Sequence, residues 1–156
     1  MLAAVLKDFN RLVLEEVPAP EPGMHEVVVR VKACGFCATD YKAIKGIRRN
    51  VSFPFIAGHE PAGIVESVGP GAAHFKPGDE VFYAGSIDRS GTNAQFHLVD
   101  ERIVGSKPRT LGFAEAAAMP LTSITAWEAL FDRLDVRREV PGAARAIVIV
   151  GGAGGV

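Results

Sequence analysis

The sequence EVVVRVKACGFCATD, residues 26–40, contains in close succession a strand, a Cys-x-x-Cys pair and the beginning of a helix. Its first half alternates between apolar and polar side chains, which is the period of a strand that is buried on one face. The apolar face consists of Val27, Val29, Val31 and Ala33, and the polar face of Glu26, Arg30 and Lys32. The pair Cys34 and Cys37 is too close in sequence to staple a large loop, and its spacing favours metal or redox chemistry.

Further short strands, separated by turn residues, are predicted on the C-terminal side of this stretch. A short helix over Thr39–Lys45, closed by Gly46, comes first. The predicted strands are Ala62–Val68, Asp79–Ala84 and Ala94–Val99, with Gly69-Pro70-Gly71 and Lys76-Pro77-Gly78 as turns between them. Several short strands at this spacing are typical of a β-barrel or a β-sandwich.

The hydrophobic period changes near residue 113. Phe113–Met119 is rich in alanine, and the helix propensity of alanine predicts a helix that Pro120 interrupts. Beyond it, apolar residues recur at spacings of three and four: Leu121, Ile124, Trp127, Leu130 and Leu134. This spacing predicts an amphipathic helix, with Trp127 in the core of the protein.

A glycine-rich segment follows the last apolar stretch. Residues 146–150 (AIVIV) are apolar at every position, which predicts a strand buried on both faces, as in a parallel sheet covered by helices. The next residues, 151–156, read GGAGGV. A glycine-rich turn after a buried strand begins a dinucleotide-binding unit, because glycines let the backbone approach a pyrophosphate. We therefore expect Gly152, Gly154 and Gly155 to contact NAD(P); a flexible tail is the alternative.

The charge balance excludes some classes of partner. The chain of 156 residues carries 17 basic and 18 acidic residues, for a formal net charge of −1. This balance argues against nucleic acid or an anionic membrane as the main partner. No apolar run reaches the length of about 18 residues that a membrane helix needs, and the N-terminus lacks the basic region of a secretory signal. We therefore expect a cytoplasmic protein.

Two short segments contain donor groups for a metal ion. Cys37 and His59 offer a thiolate and an imidazole, and Glu60 offers a carboxylate. A catalytic zinc takes about three such ligands and leaves one position open. Asp40 is suited to accept the other ring N–H of His59, which fixes the tautomer of the ring. Thr39 follows the thiolate closely, and its hydroxyl is suited to exchange a proton with a substrate oxygen.

With these motifs in this order, essentially the whole chain resembles the medium-chain dehydrogenase/reductase family. Residues 31–40 (VKACGFCATD) and 58–63 (GHEPAG) look like the two zinc-ligand segments of that family, and residues 69–81 look like its barrel turn. The resemblance implies an α+β fold, in which a GroES-like β-barrel catalytic domain is followed by the first strand and Gly-rich turn of a truncated Rossmann domain. The implied boundaries are 1–120 for the catalytic domain and 121–156 for a linking helix and the Rossmann start.

The resemblance also implies an activity and a ligand set. Hydride would pass reversibly between NAD(P)H and an alcohol/carbonyl pair, while zinc at Cys37 and His59, with Glu60 beside it, polarises the oxygen. The implied partners are a small-molecule alcohol, aldehyde, ketone or quinone, and a second copy of the chain in a homodimer. Cys34 is the alternative ligand, although the family's pattern does not use this position. Because the glycine motif is cut after Val156, the chain alone is expected to be inactive.

Two departures from the family's pattern leave alternatives open. Leu121 occupies the position at which the family usually has its third zinc ligand, a cysteine. A Gly/Ser/Asp-rich loop, residues 83–93, replaces the lobe that holds a structural zinc in some members. From Gly78 onward the chain looks more like the quinone-oxidoreductase branch, whose members commonly work without zinc. A zinc-independent NADPH quinone or enone reductase therefore remains an alternative, as does a non-catalytic barrel fragment.

Overall fold

The computed structural model describes residues 1–86, 89–139, 141–142 and 146–152 of the chain. The strands in these ranges are β1 (Leu2–Asp8), β2 (Arg11–Glu16), β3 (Glu26–Cys34), β4 (Phe55–Ile56), β5 (Pro61–Val68), β6 (Glu80–Phe82), β7 (Phe96–Asp100) and β8 (Gly105–Ser106). The helices are α1 (Ala38–Ile44), α2 (Phe113–Ala117) and α3 (Pro120–Trp127), with a 3-10 turn at Glu101–Ile103 and a π-helical segment at Glu128–Arg133. Of the helices in this part of the chain, none has both the length and the apolar character needed to cross a membrane.

The strands form two antiparallel sheets. One has the order β2-β1-β4, and the other has the order β7-β3-β5-β6-β8. Strand β3 lies inside the larger sheet, where Val29 is opposite Val65 of β5 on one side and His97 of β7 on the other. An isolated bridge between Ala3 and Ala94 joins the two sheets. The fold therefore places the end of β3 beside the beginning of β5, which is where the predicted ligand segments lie.

The core of the larger sheet consists mainly of β-branched side chains. Its buried members are Val27, Val29, Val65, Val81, Tyr83 and Val99. Burial of one valine of this kind contributes roughly 1.5 kcal/mol or more to the free energy of folding, and its branched side chain suits the pleated surface of a strand. A second cluster joins Ala62 of β5 to Ala116 and Ala117 of α2, and it places α2 against the sheet.

Most of the predicted strands and the first helix are confirmed. Strands β3, β5 and β7 begin within two residues of their predicted starts, whereas the strand predicted over 79–84 shortens to Glu80–Phe82. Helix α1 begins and ends one residue before its predicted bounds. Strands β1, β2, β4 and β8 were not predicted. Strands β4 and β8 have two residues each, and so short a segment has no period that a sequence pattern can reveal.

The prediction that Trp127 belongs to the core is wrong. A helix does form, with Pro120 as its first residue, but the Trp127 side chain is 61% exposed and contacts mainly the Phe131 ring, at a centroid distance of 4.5 Å. Ile124 and Leu134 are exposed on the same helical stretch. The spacing of apolar residues predicts a helix, but it does not specify which surface covers that helix.

The strand predicted over residues 146–150 is also not formed. Residues 147–150 are exposed, with Val150 94% exposed, and no strand is assigned there. A strand of a parallel sheet needs neighbouring strands for its backbone hydrogen bonds, and no other described segment pairs with this one. Gly152 lies in an exposed turn, while Gly154 and Gly155 fall outside the described residues.

Candidate metal centre

Three donor side chains meet where β3 ends and β5 begins. Cys37 follows β3 as the N-cap of α1, and His59 and Glu60 immediately precede β5. Because β3 and β5 are neighbours, with Cys34 opposite Pro61, the two ligand segments lie side by side. One ligand atom from each of Cys37, His59 and Glu60 lies within 4.8 Å of the others, and no other group of this kind occurs among the residues that the structure describes.

Cys37 lies in an environment that favours the thiolate. Its Sγ accepts a hydrogen bond from the backbone N–H of Thr39 at 3.5 Å. This bond, with further contributions from the Thr39 side chain and His59, lowers the pKa of the thiol despite its partial burial. Since the thiolate is the form that binds a metal ion, the beginning of α1 prepares Cys37 as a ligand.

A single carboxylate connects the two ligand segments. The buried Asp40 accepts a hydrogen bond from the Cys37 amide through Oδ2, at 3.0 Å, and one from the Gly58 amide through Oδ1, at 2.9 Å. Oδ1 also lies 3.5 Å from Nδ1 of His59. Burial opposes ionisation, but the hydrogen bonds from His59 and the two amides outweigh it and hold the pKa of Asp40 below its usual value. Asp40 therefore fixes the backbone of both segments and the ring of His59.

The two ring nitrogens of His59 have different neighbours. Nδ1 faces Asp40, and Nε2 lies 3.7 Å from Oε1 of Glu60. The Asp40 carboxylate, aided by Cys37, raises the pKa of His59 to about 9 in spite of burial. The metal-free ring is therefore protonated at neutral pH. A metal ion bound at Nε2 would have to displace the proton of that nitrogen, with Nδ1–H still facing Asp40.

The loop between β6 and β7 holds the second ligand segment from the opposite side. Its backbone amides donate to successive carbonyls: Gly91 to Ile56 at 2.9 Å, Asn93 to Ala57 at 2.9 Å, Thr92 to Gly58 at 3.0 Å and Gly85 to His59 at 2.7 Å. In the sequence, this loop is recognisable only by its composition. Its positioning role was not predicted, because the carbonyls that the loop holds lie far away in the sequence and no local pattern marks such a pairing.

Cys34 differs from Cys37 in the neighbour of its sulfur atom, in the direction of its pKa shift and in its distance from the other donor residues. Its Sγ lies 3.0 Å from Oγ1 of the buried Thr92. Burial raises the pKa of the Cys34 thiol, although the Thr92 hydroxyl opposes this shift. Cys34 is also not part of the three-residue donor group. A structural role for Cys34 therefore fits these contacts better than the alternative role as a ligand.

The remaining predicted residues lie around this group. The Thr39 side chain is exposed beside Cys37. Leu121 lies in the first turn of α3, and the Thr122 hydroxyl donates to the carbonyls of Ala118 and Met119, both at 3.0 Å. The side chain of Leu121 has no donor atom, and the hydroxyl proton of Thr122 is used within the helix.

The donor set suits a zinc ion. It combines a thiolate, an imidazole and a carboxylate, which are the three ligand types that zinc takes in proteins, and three protein ligands leave one position of a tetrahedron for water or substrate. Calcium and magnesium prefer sites made of oxygen ligands. The residues present therefore fit zinc in a site of the catalytic type.

Comparisons with known proteins show which family the chain is similar to. Residues 23–128 match the alcohol dehydrogenase GroES-like domain. A zinc-type alcohol dehydrogenase-like protein of Staphylococcus aureus is 35% identical over 152 residues, which are 97% of this chain and 45% of that protein. A chloroplast envelope quinone oxidoreductase homolog of Arabidopsis thaliana is 33% identical over 144 residues, which are 90% of this chain and 44% of that protein.

A solved structure is similar over nearly the whole chain. It is that of a Rhizobium etli protein provisionally named a zinc-dependent alcohol dehydrogenase, which is 55% identical with a TM-score of 0.88 and covers 99% of this chain and 47% of that one. The chain thus spans slightly less than half the length of the proteins it matches. Since the matched domain extends over more than half of the chain, the resemblance seen in the sequence is confirmed: the chain belongs to the medium-chain dehydrogenase/reductase family.

Proposed function

We propose that the protein is an NAD(P)-dependent oxidoreductase that interconverts an alcohol and a carbonyl compound, with zinc held by Cys37, His59 and Glu60. The observation that carries the proposal is the convergence of these three donor groups within 4.8 Å. Relatives named as zinc-type alcohol dehydrogenases support the proposal at the level of the family. Because the chain spans less than half of those relatives, the activity is proposed for the whole protein to which this domain belongs.

Each residue of the site has a role in this chemistry. Zinc, when bound, polarises the substrate oxygen, and the nicotinamide accepts or supplies the hydride. Asp40 fixes the tautomer and orientation of His59 and orients the backbone of both ligand segments. Cys37 supplies a negative charge that its helix N-cap position stabilises. The exposed Thr39 hydroxyl relays a proton: during oxidation it accepts the proton of the alcohol while it passes its own proton to solvent, and during reduction the transfer runs in the opposite direction.

The cofactor is proposed to bind outside the catalytic domain. We propose residues 1–120 as that domain and residues 121–156 as the linking helix and the start of a nucleotide-binding domain. Gly152, Gly154 and Gly155 are the proposed contacts to the pyrophosphate of NAD(P), since a glycine-rich turn lets the backbone approach it closely. A homodimer and a cytoplasmic location remain part of this proposal.

A second candidate function is NADPH-dependent reduction of a quinone or enone without zinc. The observation that favours it is Leu121, which has no donor atom at the position expected for the third ligand. The similarity to a quinone oxidoreductase homolog supports the same candidate.

A single set of assays on the full-length protein separates these functions. We expect oxidation of alcohols and reduction of aldehydes, followed by nicotinamide absorbance, and we expect loss of this activity with a chelator and its return with zinc. Quinone reduction that survives chelation and the Cys37→Ser substitution would favour the second candidate. No turnover with either class, in a protein that is folded and contains zinc, would favour the non-catalytic alternative.

A further inference from the structure

The Glu60 side chain lies directly over the backbone of Gly35. The Gly35 amide donates to the Glu60 carbonyl at 2.9 Å, which holds the two backbones together between β3 and β5. A Cβ atom added at Gly35 would overlap Oε2 of Glu60, and it would lie 3.0 Å from Glu60 Cβ and 3.2 Å from Cδ. Glu60 can therefore keep its position only because residue 35 has no side chain.

The two carboxylate oxygens of Glu60 have separate surroundings. Oε2 lies over Gly35, whereas Oε1 lies 3.7 Å from Nε2 of His59, on the side of the donor group. The side chain is only 13% exposed, so it has little free space into which it can rotate. Both oxygens belong to one planar carboxylate, so a displacement of Oε2 also changes the position of Oε1 relative to Nε2 of His59.

We propose that Gly35 is a positioning residue for the third donor, because its missing side chain keeps the Glu60 carboxylate within the metal-binding group. The inference rests on the proposed zinc site only in so far as Glu60 is a ligand there. The backbone of Gly35 is not in the left-handed region, so an alanine fits its conformation. The effect of Gly35→Ala is therefore transmitted through Glu60 and not through backbone strain.

The geometric part of the proposal is tested without metal. Urea unfolding of the metal-free chain is compared for wild type, Gly35→Ala, Glu60→Ala and the double variant. We expect Gly35→Ala to lower the free energy of unfolding when Glu60 is present. The decrease should be clearly smaller in the Glu60→Ala background, which has no carboxylate at this position. Such non-additivity is the signature of two residues in contact. An equal cost in both backgrounds would overturn the proposal.

The functional part is tested by zinc competition with a chelator and by the absorption spectrum of the cobalt-substituted chain. Loss of a group that orients a metal ligand lowers metal affinity by about 10- to 100-fold. We expect a loss in this range for Gly35→Ala, a loss of the same size for Glu60→Gln, and no further loss in the double variant. The cobalt spectra of both single variants should change in the same way.

A matched control is available at Gly112. Like Gly35, it lies against a glutamate: its amide donates to the side chain of Glu115, at Oε2 and 2.8 Å, but an added Cβ would meet that oxygen at an ordinary 3.6 Å. Gly112→Ala should therefore leave zinc affinity unchanged.

If Glu60→Gln weakens zinc binding and Gly35→Ala does not, the positioning role proposed for Gly35 is wrong. If the wild-type chain takes up no zinc, the proposed metal site fails, and the stability comparison alone decides the relation between Gly35 and Glu60.

Discussion

Oδ1 of Asp40 lies 3.5 Å from Nδ1 of His59, and it also accepts the hydrogen bond of the Gly58 amide. The contact between Asp40 and His59 was predicted from the motifs ATD and GHE, because a histidine that binds a metal donates its other ring N–H to an acceptor. The second was not predicted, because a backbone amide has no sequence signature. One carboxylate thus holds the backbone of both ligand segments and the ring of His59, and under the proposed zinc site it would link stability to metal binding.

Replacing Asp40 with Asn should weaken both properties. The side-chain amide of asparagine carries no negative charge. Its NH2 group would replace one of the two carboxylate oxygens, and this donor would then face the backbone N–H of Cys37 or Gly58. We expect zinc affinity to fall by about 10- to 100-fold and the free energy of unfolding to fall by about 1 to 3 kcal/mol. Chelator competition and urea unfolding measure the two effects.

The matched control for that substitution is Asp79→Asn. Asp79 also accepts a backbone N–H, that of Lys76 at 2.9 Å, but it is not part of the donor group. Asp79→Asn should leave zinc binding unchanged. Wild-type zinc affinity in Asp40→Asn would show that Asp40 does not act on His59.

Zinc content should depend on Cys37 and His59 but not on Cys34. We expect Cys37→Ser and His59→Ala each to abolish stoichiometric zinc, measured by elemental analysis after dialysis, because each removes one of three donors. Cys34→Ser is the matched control, since its thiol is bonded to Thr92 and lies outside the donor group. Loss of zinc in Cys34→Ser, with zinc retained in Cys37→Ser, would reassign the ligand.

The fluorescence of the chain should report an exposed tryptophan. Trp127 is the only tryptophan in the sequence and is 61% exposed. We expect an emission maximum close to that of the unfolded chain and efficient quenching by iodide. A blue-shifted emission that iodide does not quench would show that another surface covers this residue in solution, as its apolar helical stripe first suggested.

Binding of NAD(P)H to the chain of residues 1–156 should be weak. A dinucleotide site needs a strand, a tight turn and a helix whose amides point at the pyrophosphate. Residues 147–150 are exposed and form no strand, so the turn at Gly152 has no such support among the described residues. Calorimetric titration should show little heat, and a micromolar dissociation constant would contradict this expectation.

The sequence predicted those features that depend on local periodicity or on residue chemistry. The alternation in β3, the helix after Cys37 and the donor types at His59 and Glu60 are of this kind. Features that depend on long-range packing were missed or wrong. Thr92 contacts Cys34 across 58 residues of sequence, and the exposure of Trp127 depends on which surfaces are present to cover α3. Sequence spacing contains no information on either.

A buried histidine away from the metal centre should contribute to the pH dependence of stability. His97 is buried in β7, where Nδ1 pairs with the Tyr83 hydroxyl at 2.8 Å and Nε2 with the Ser90 carbonyl at 2.9 Å. Since a carbonyl can only accept, Nε2 carries the proton, and Nδ1 accepts from Tyr83 in the neutral ring. Both ring nitrogens are thus satisfied within the protein, and His97 has a structural role in the core.

The direction of the effect follows from the pKa of His97. Burial lowers that pKa in the folded chain, and the positive charge of Arg89 acts in the same direction, although the bond to Ser90 opposes it. In the unfolded chain the pKa is about 6.5. As the pH falls below about 6.5, the unfolded chain binds a proton that the folded chain does not, so stability falls. The free energy of unfolding continues to fall until the pH reaches the lowered pKa, where the folded chain also binds the proton. The stabilisation that comes from the neutral His97 ring is therefore fully present above about pH 6.5.

The His97→Gln variant isolates this contribution from that of the carboxylates. Glutamine does not titrate. The free energy of unfolding of the variant should therefore lack the part of the decrease at low pH that is due to the His97 ring, even if the variant is less stable at every pH. Urea unfolding of both chains between neutral and mildly acidic pH gives the difference in their free energies of unfolding. We expect the advantage of the wild-type chain to be largest near neutral pH and to shrink steadily as the pH falls below about 6.5. A difference that stays constant would mean that folding does not shift the pKa of His97, and it would contradict the prediction. A difference that grows on acidification would mean that folding raises this pKa, and the hydrogen bond with Tyr83 would then have to run from a protonated ring to the hydroxyl oxygen.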